Sequence, residues 1–408
     1  MRIDGATPPA VAAVEVRGWL AANLPAAWLE AGRSGGPDAV RAVRTPADYE
    51  AWYPAFGASG LVAPTWPAAY GGLGVNLETA RAIEVELAPF RLGRLNPLGL
   101  NNTAPALFAH GTEEQRLRWL PPIVRNEERW CQLFSEPGAG SDLASLACRA
   151  VRDGDDWRVS GQKVWSTWAH RSDYAVLLAR TDPDAPKRAG ITYFLIDLHQ
   201  PGVTVRPLRH LGGEVDFNEV FLDEAVVPDA MRVGAPGDGW RVAGATLAGE
   251  RQMVAGAGSG GVDRIGGRGA DHLVGLAART GAASDPVVRQ AVAAAVAEER
   301  IRAFTNQRVR AAAAAAAGPG AAASIGKVHQ GALNQRIQLL ATDLLGADAV
   351  AWAGPVPAEV RGMLRSRANT IEGGTTEVNK NVLGERVLGL PREPDPWQGA
   401  PWSEIPRS

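Results

Sequence analysis

Gly138, Ala139 and Gly140 sit in the run CQLFSEPGAGSDLASL (131–146), with the hydroxyls of Ser135 and Ser141 on either side. Small residues let a backbone come close to a ligand, and nearby hydroxyls and amides suit a polar ring edge or a phosphate. An ordinary glycine-rich loop has the same composition. Downstream, GQKVWST (161–167) offers Trp165 for stacking on a large π surface and Thr167 as a hydroxyl donor, or else a strand whose tryptophan faces a core. Glu372 leads into Gly373 and Gly374 in IEGGTTEVNKNVLGERVLGLP (371–391), and Glu250 precedes Arg251 in GATLAGERQMVAGAGSGG (244–261). Adjacent helix residues do not face each other, so Glu250 and Arg251 are not a natural salt bridge. A well-placed carboxylate can instead take a proton as general base.

Positioning such groups takes several packed elements. A chain of 408 residues exceeds one compact core of ordinary size, so two or three units are expected. Over residues 1–128 apolar residues recur at three and four spacing. Thr112 to Gln115 in GTEEQRLRWLPP reads as a capping box, and Pro121-Pro122 is expected to end that helix. GLVAPTWPAAYGGLGVN (60–76) reads as an ordered loop between helices. Over 129–235 the period changes to short β-branched or alternating runs, DWRVSGQKVWST, DYAVLLART, GITYFLIDL, GVTVRPLR and NEVFLDEAVV. Over 236–408 helices return. Asp285 caps one with Pro286 in its first turn, running to Ala317 before Gly318-Pro319-Gly320, and a second stops at Gly346. Helices, strands and helices in that order predict an α+β fold of three segments: an N-terminal helical domain (1–128), a middle β domain (129–235) and a C-terminal helical bundle (236–408).

Several chemistries are excluded. A net charge of -2 with interspersed signs gives no basic face for a nucleic acid or an anionic membrane. Cys131 and Cys148 have no CxxC spacing, so neither a disulfide framework nor a zinc ribbon is expected, and a reduced cytoplasm fits best. No leader pattern opens the chain, and no apolar run reaches roughly 18 residues, so no membrane span is expected. The six histidines (110, 170, 199, 210, 272, 329) make no HExxH or i, i+4 pair, and no metal is expected. GAGSGG (256–261) satisfies G-x-G-x-x-G but follows a helical stretch, which fits a helix contact better than a dinucleotide site. No G-x-S-x-G elbow occurs, which sets aside a serine hydrolase.

The blocks at 131–146 and 161–167 resemble the flavin signature of the acyl-CoA dehydrogenase family, and 371–391 resembles that family's C-terminal signature. GTEEQRLRWLPPI stands where the family has a similar helix before its strands. The resemblance spans nearly the whole chain. It implies an N-terminal helical domain, a central β-barrel domain and a C-terminal four-helix bundle, with bound FAD, an acyl-CoA substrate and usually a tetramer. By similarity Gln132, Leu133, Phe134 and Ser135 line the isoalloxazine, while Gly140 and Ser141 lie toward the pyrophosphate or the CoA. Trp165 would stack on the flavin face opposite the substrate, and Thr167 would donate to its N5 or O4 region. Thr375 and Glu377 resemble positions that reach the adenosine side. Asp343 to Ala347 stands where a Gly-Gly turn approaches a neighbouring subunit's dinucleotide. The second glycine is missing, as is the Arg-x-x-Phe-Gly block many members carry.

The implied chemistry needs a carboxylate at the α-carbon and a hydride acceptor across the β-carbon, with the enolate stabilised as it forms. In many members the base precedes Gly-Thr in the C-terminal signature. Aligning on Gly374-Thr375 puts Gly373 at that position and Glu372 where an aromatic residue usually stands. The isovaleryl and long-chain branches carry instead a Glu followed by Arg on the helix after the β domain, which Glu250-Arg251 matches. Glu250 is therefore the expected general base, with Glu372 as the alternative and Arg251 as a brace. Gly373 would give its backbone N–H to the thioester carbonyl, with Gly374, Ser141 and Arg251 also on the substrate side. The expected function is oxidation of an acyl-CoA to a trans-2-enoyl-CoA, with flavin N5 taking the hydride and an electron-transferring flavoprotein as acceptor. Two other readings remain: a non-catalytic partner subunit of a heterotetramer, and a flavin oxidase or monooxygenase on the same fold.

Overall fold

The structure, a computed structural model, describes residues 1–254, 268–315 and 322–406, and the side chains of all of these except 249–254, 310, 313–315 and 323. The tract GAGSGG (256–261) and the stop at Gly318-Pro319-Gly320 lie outside the described residues.

Six helices come first: α1 (Pro9–Asn23), α2 (Ala26–Val43), α3 (Pro46–Gly57), α4 (Leu77–Leu87), α5 (Ala104–His110) and α6 (Glu113–Arg125). The capping box forms as expected: Thr112 takes the Gln115 N–H, and Gln115 takes the Thr112 N–H. The Gln115 amide then donates to the carbonyls of Ala230 and Arg232, both at 2.9 Å, so the cap also ties α6 to the strands. Pro121 and Pro122 do not end this helix, contrary to the expectation. It runs through both prolines to Asn126, which is left-handed at φ 57°. A proline removes a donor but keeps a helical φ, and burial of Leu120, Pro122, Ile123 and Val124 holds the turn. The loop at 60–76 is ordered by backbone bonds such as Gly74 N–H to Trp66 O at 2.7 Å. Gly72 permits that fold, because a Cβ there would stand 2.1 Å from the Trp66 oxygen.

The strands are β1 (Trp130–Leu133), β2 (Arg149–Asp153), β3 (Asp156–Lys163), β4 (Tyr174–Arg180), β5 (Ile191–Asp197), β6 (Val203–Leu208), β7 (Phe217–Pro228) and β8 (Arg232–Val233). They form one sheet in the order β6-β7-β3-β2-β4-β5-β8, with β1 parallel to β4. Strands β2 and β4 meet at a single pair, Arg149 with Arg180. At that weak seam the sheet curls, so that Trp157, Val159 and Val220 on one half pack with Leu177, Phe194 and Ile196 on the other. It encloses this core as a barrel does, with β6 and β8 at the two ends of the strand order. Strands β4 and β5 are buried on both faces. Their second face packs on Leu107, Leu120 and Ile123 of the helical domain, which explains their nearly unbroken apolar sequences.

Asp229 anchors the last strand. Its carboxylate accepts from Arg232 at 2.8 Å on each oxygen and from the Trp157 indole at 2.8 Å. The Arg232 fork holds this carboxyl well below the usual carboxylate range. A carboxyl depressed in the folded state contributes stability above its unfolded pKa, near 4, and loses it as pH falls toward the folded value. Asp229→Asn is expected to cost roughly 1.5 kcal/mol at pH 7, with the gap to wild type narrowing below about pH 4. Urea unfolding of both proteins at several pH values checks this, and a gap constant with pH contradicts it.

The C-terminal helices are α7 (Gly239–Val254), α8 (Ala270–Arg279), α9 (Pro286–Ala315), α10 (Ala323–Leu345), α11 (Ala358–Ser366) and α12 (Thr376–Arg386). Helix α9 starts where expected, the Asp285 carboxylate taking the Val287 N–H at 2.8 Å. Helix α10 stops at Gly346, φ 58°, and touches α8, α9, α11 and α12. Among the described residues no helix is long and apolar enough to cross a membrane.

Candidate active site

The glycine block leaves β1 and turns back on itself at once, Glu136 and Ala139 exchanging backbone bonds at 3.1 Å. The Glu136 carboxylate closes the loop by accepting from Ala147 N–H at 2.7 Å and Cys148 N–H at 2.9 Å. It also receives Lys163 Nζ at 2.7 Å, and the same ammonium donates to Phe134 O at 3.0 Å. Lys163 is fully buried and the Glu136 side chain is 9% exposed. An ion pair taken out of water thus joins the first block to the second. Burial pushes the neighbouring Cys148 thiol up to about 11 and Cys131 up to about 12. Neither is a thiolate nucleophile at neutral pH.

Alternation along β1 sorts its residues. Leu133 and Phe134 are buried in the cores on the two sides of the sheet, so their side chains face away from any ligand and only the backbone could meet one. Gln132 and Ser135 are half-buried, and Gly138, Gly140 and Ser141 are exposed. A Cβ built on Gly138 or Gly140 meets nothing within 4 Å, so there is open space beside both.

Trp165 lies past the end of β3, in a bend, and not in the strand that its run suggested. Its φ is 61°, a left-handed conformation that is uncommon for a bulky residue and tends to occur at functional sites. The bend is held by Val164 N–H to Ser135 O, Ser166 N–H to Asn218 O and Trp168 N–H to Asp216 O, at 2.8–3.0 Å. These bonds leave the indole 55% exposed. Its edge meets the Phe217 ring, with centroids 5.7 Å apart at 82°. The half-buried Thr167 follows.

Phe217 carries the site into the bundle. The Arg365 guanidinium lies 5.6 Å from its centroid and grips Glu372 with two bonds of 3.1 and 3.0 Å. Asn369 adds a third contact to Glu372 at 3.3 Å. Gly373 and Gly374 follow at φ 64° and 87°, a double left-handed turn that suits glycine. Asn379 pins it by donating to the carbonyls of Gly374 and Thr375, both at 3.0 Å. Thr375 caps α12 through its hydroxyl, and Glu377 is exposed. The sequence blocks at 161–167 and 371–391 therefore share one locality.

Helix α7 docks through Thr246, whose hydroxyl meets the Tyr193 hydroxyl at 2.9 Å. Tyr193 in turn packs edge-on against Phe134, with centroids 6.1 Å apart. Glu250 and Arg251 belong to the next turn of α7, and their side chains lie outside the described residues.

Among the described residues six buried side-chain polar atoms have no hydrogen-bond partner, and three of them, Asn102 Oδ1, Thr103 Oγ1 and Ser166 Oγ, belong to the π turn beside β1 and to the Trp165 bend. Ser166 stands between Trp165 and Thr167, and the Asn102 amide donates to Gln132 at 2.6 Å. Asn102 and Thr103 lie in a π turn, Gly99–Thr103, a geometry frequent at functional sites. An exposed indole, open space beside two glycines and orphaned polar atoms fit a flat ring with polar edges. Sequence reasoning did not find Asn102, Phe217 or Arg365. A wide helical turn leaves no pattern in residue type, and the Phe217–Arg365 contact joins residues that are far apart in the chain. Among the described residues no cluster of three metal-ligating side chains occurs.

Family models match the chain in three successive stretches: acyl-CoA dehydrogenase N-terminal domain at 36–127, middle domain at 131–225 and C-terminal domain at 237–388. Acyl-CoA dehydrogenase IpdE1 of Mycobacterium tuberculosis is 39% identical over 382 residues, covering 93% of this chain and 97% of the relative. FadE34 of the same organism is 40% identical over 334 residues, which make up 82% of this chain and 45% of that longer protein. The Tcur3481-Tcur3483 steroid ACAD superposes with a TM-score of 0.72 at 28% identity, covering 95% of this chain and 99% of that one. The ChsE4-ChsE5 complex from M. tuberculosis does so with a TM-score of 0.69 at 27% identity, covering 96% and 100%. With agreement over all three segments, the chain belongs to the acyl-CoA dehydrogenase family, FAD-dependent oxidoreductases acting on CH–CH groups.

Proposed function

We propose that this chain oxidises a ring-bearing acyl-CoA thioester to its trans-2-enoyl-CoA, with Glu250 as general base. The observation that carries the reading is the contact of Phe217 with both Trp165 and Arg365. It sets the stacking residue of one block beside the glycine turn of another. Because Arg365 engages both oxygens of Glu372, that carboxylate serves the turn, and proton removal falls to Glu250. When bound, FAD supplies the hydride acceptor. Gln132, Ser135 and Thr167, with the Leu133 and Phe134 backbone, hold the ring edge, while Gly140 and Ser141 face the diphosphate. Thr375 and Glu377 reach toward the adenosine. The Gly373 N–H holds the thioester oxygen as negative charge gathers there, so the α-proton becomes acidic enough for Glu250 to take. Gly374 shapes that donor, and Arg251 braces the base.

The ring-bearing substrate class is supported by the likeness to a steroid ACAD. Assembly with a second, related chain is supported by the likeness to the two-chain ChsE4-ChsE5 complex. An electron-transferring flavoprotein is the proposed acceptor. The test is the visible spectrum of the purified protein during anaerobic titration with steroid and straight-chain acyl-CoA thioesters. Bleaching of a flavin band by the steroid thioester at lower concentration is expected. Absence of flavin absorbance, with or without a co-expressed partner, rules out the reading.

A further inference from the structure

Residues after 388 lie beyond the matched C-terminal family segment, yet they return to the β domain. Residues 389–399 run exposed, and the chain then docks. Pro401 bridges to Pro186. Trp402 N–H donates to Ala185 O at 3.0 Å and Ser403 N–H to Pro183 O at 2.9 Å. The Ser403 hydroxyl adds Asp184 at 3.2 Å. Trp402 is only 8% exposed, and its ring covers the Arg180 guanidinium at 4.2 Å.

Arg180 is 3% exposed and faces the glycine loop. It donates to Ala144 O at 2.7 Å, to Leu146 O at 3.1 Å and to Lys187 O at 3.1 Å. Lys187 itself pairs with Asp142. The segment 182–190 is thus gripped by the tail on one side and by the glycine loop on the other. Pro406 completes the contact by lining a cleft of about 480 Å³ with Glu136, Gly138, Asp142 and Gln162.

We propose that the C-terminal tail is a strap and that Trp402 is a positioning residue for cofactor retention. A planar guanidinium donates in its own plane, and an indole on its face removes the water that would otherwise compete for it. The Trp402 ring thereby fixes the fork that holds the carbonyls of Ala144 and Leu146, and so sets the shape of the loop from Pro137 to Leu146. This rests on the FAD reading above. The strap touches none of the reacting groups, so it acts on cofactor affinity and leaves turnover per bound flavin alone.

The experiment is FAD titration of the flavin-stripped full chain, by fluorescence quenching, in wild type, Trp402→Ala and Trp402→Phe. Hydrogen exchange over 137–146 is measured in parallel. The alanine variant is expected to bind FAD about tenfold more weakly and to exchange faster in that loop, with the phenylalanine variant recovering most of the loss. Turnover per bound flavin should stay within about twofold of wild type. Equal FAD affinity in all three proteins overturns the strap, as does a phenylalanine variant as weak as alanine. If Trp402→Ala fails to fold, Ser403→Pro removes the tail's N–H to Pro183 and its hydroxyl to Asp184 and is expected to weaken FAD in the same direction. No change there overturns the proposal. A wild-type chain that binds no FAD refutes the FAD reading instead, and slow exchange in Trp402→Ala then refutes the strap.

Discussion

Glu250→Gln is expected to lower the rate of flavin bleaching by roughly 10²–10⁴, with flavin content and thermal stability close to wild type. Glutamine keeps the size of the side chain and cannot accept the α-proton. The loss therefore falls on kcat, with KM little changed, because the thioester is still bound and its carbonyl still held. Glu372→Gln is the control, since that carboxylate lies in the fork of Arg365. Its removal frees the guanidinium and loosens the Gly373-Gly374 turn, a loss of about threefold to tenfold in line with a part-buried ion pair. Stopped-flow bleaching under anaerobic conditions separates the two variants. A Glu250→Gln rate within about threefold of wild type, or a larger loss in Glu372→Gln, removes Glu250 as the base.

Lys163→Met is expected to destabilise the fold by about 3–5 kcal/mol, the cost of leaving one member of a buried ion pair without its partner. The ammonium is fully buried and bonds both Glu136 and the Phe134 carbonyl. Without it, Glu136 keeps only the amides of Ala147 and Cys148. Adding Glu136→Gln is expected to recover part of the loss, because a neutral amide at that position needs no counter-ion. Urea unfolding of the single and double variants measures the coupling. A single-variant loss under about 1 kcal/mol makes the pair dispensable.

The three-segment order was legible because periodicity and punctuation agree. The runs that became β3 to β7 alternate or are continuously apolar, and Asp285-Pro286 and Gly346 bound their helices as read. The short strands β1 and β2 were not separated from the glycine block between them, since four or five residues carry little periodic signal. Pro121-Pro122 misled because tertiary burial of the following turn outweighs a local helix-breaking rule. The site was legible as residue types and not as contacts. Trp165, Gly373 and the glycine loop could be singled out by composition and family resemblance. That Leu133 and Phe134 turn their side chains into the cores, and that Glu372 is held by Arg365, depends on how distant segments meet.

Phe217 places the stacking residue and the glycine turn in a single linkage relation. Any ligand that orders the Trp165 bend also restricts the Phe217 ring, and through Arg365 the turn at Gly373. On the proposed site, reciprocity requires that a thioester held at Gly373 change the affinity of a ring stacked on Trp165 by the same factor as that ring changes the thioester's. A favourable coupling of this kind would stabilise the fully loaded state over either half-loaded one, with a benzene ring as the element that couples them.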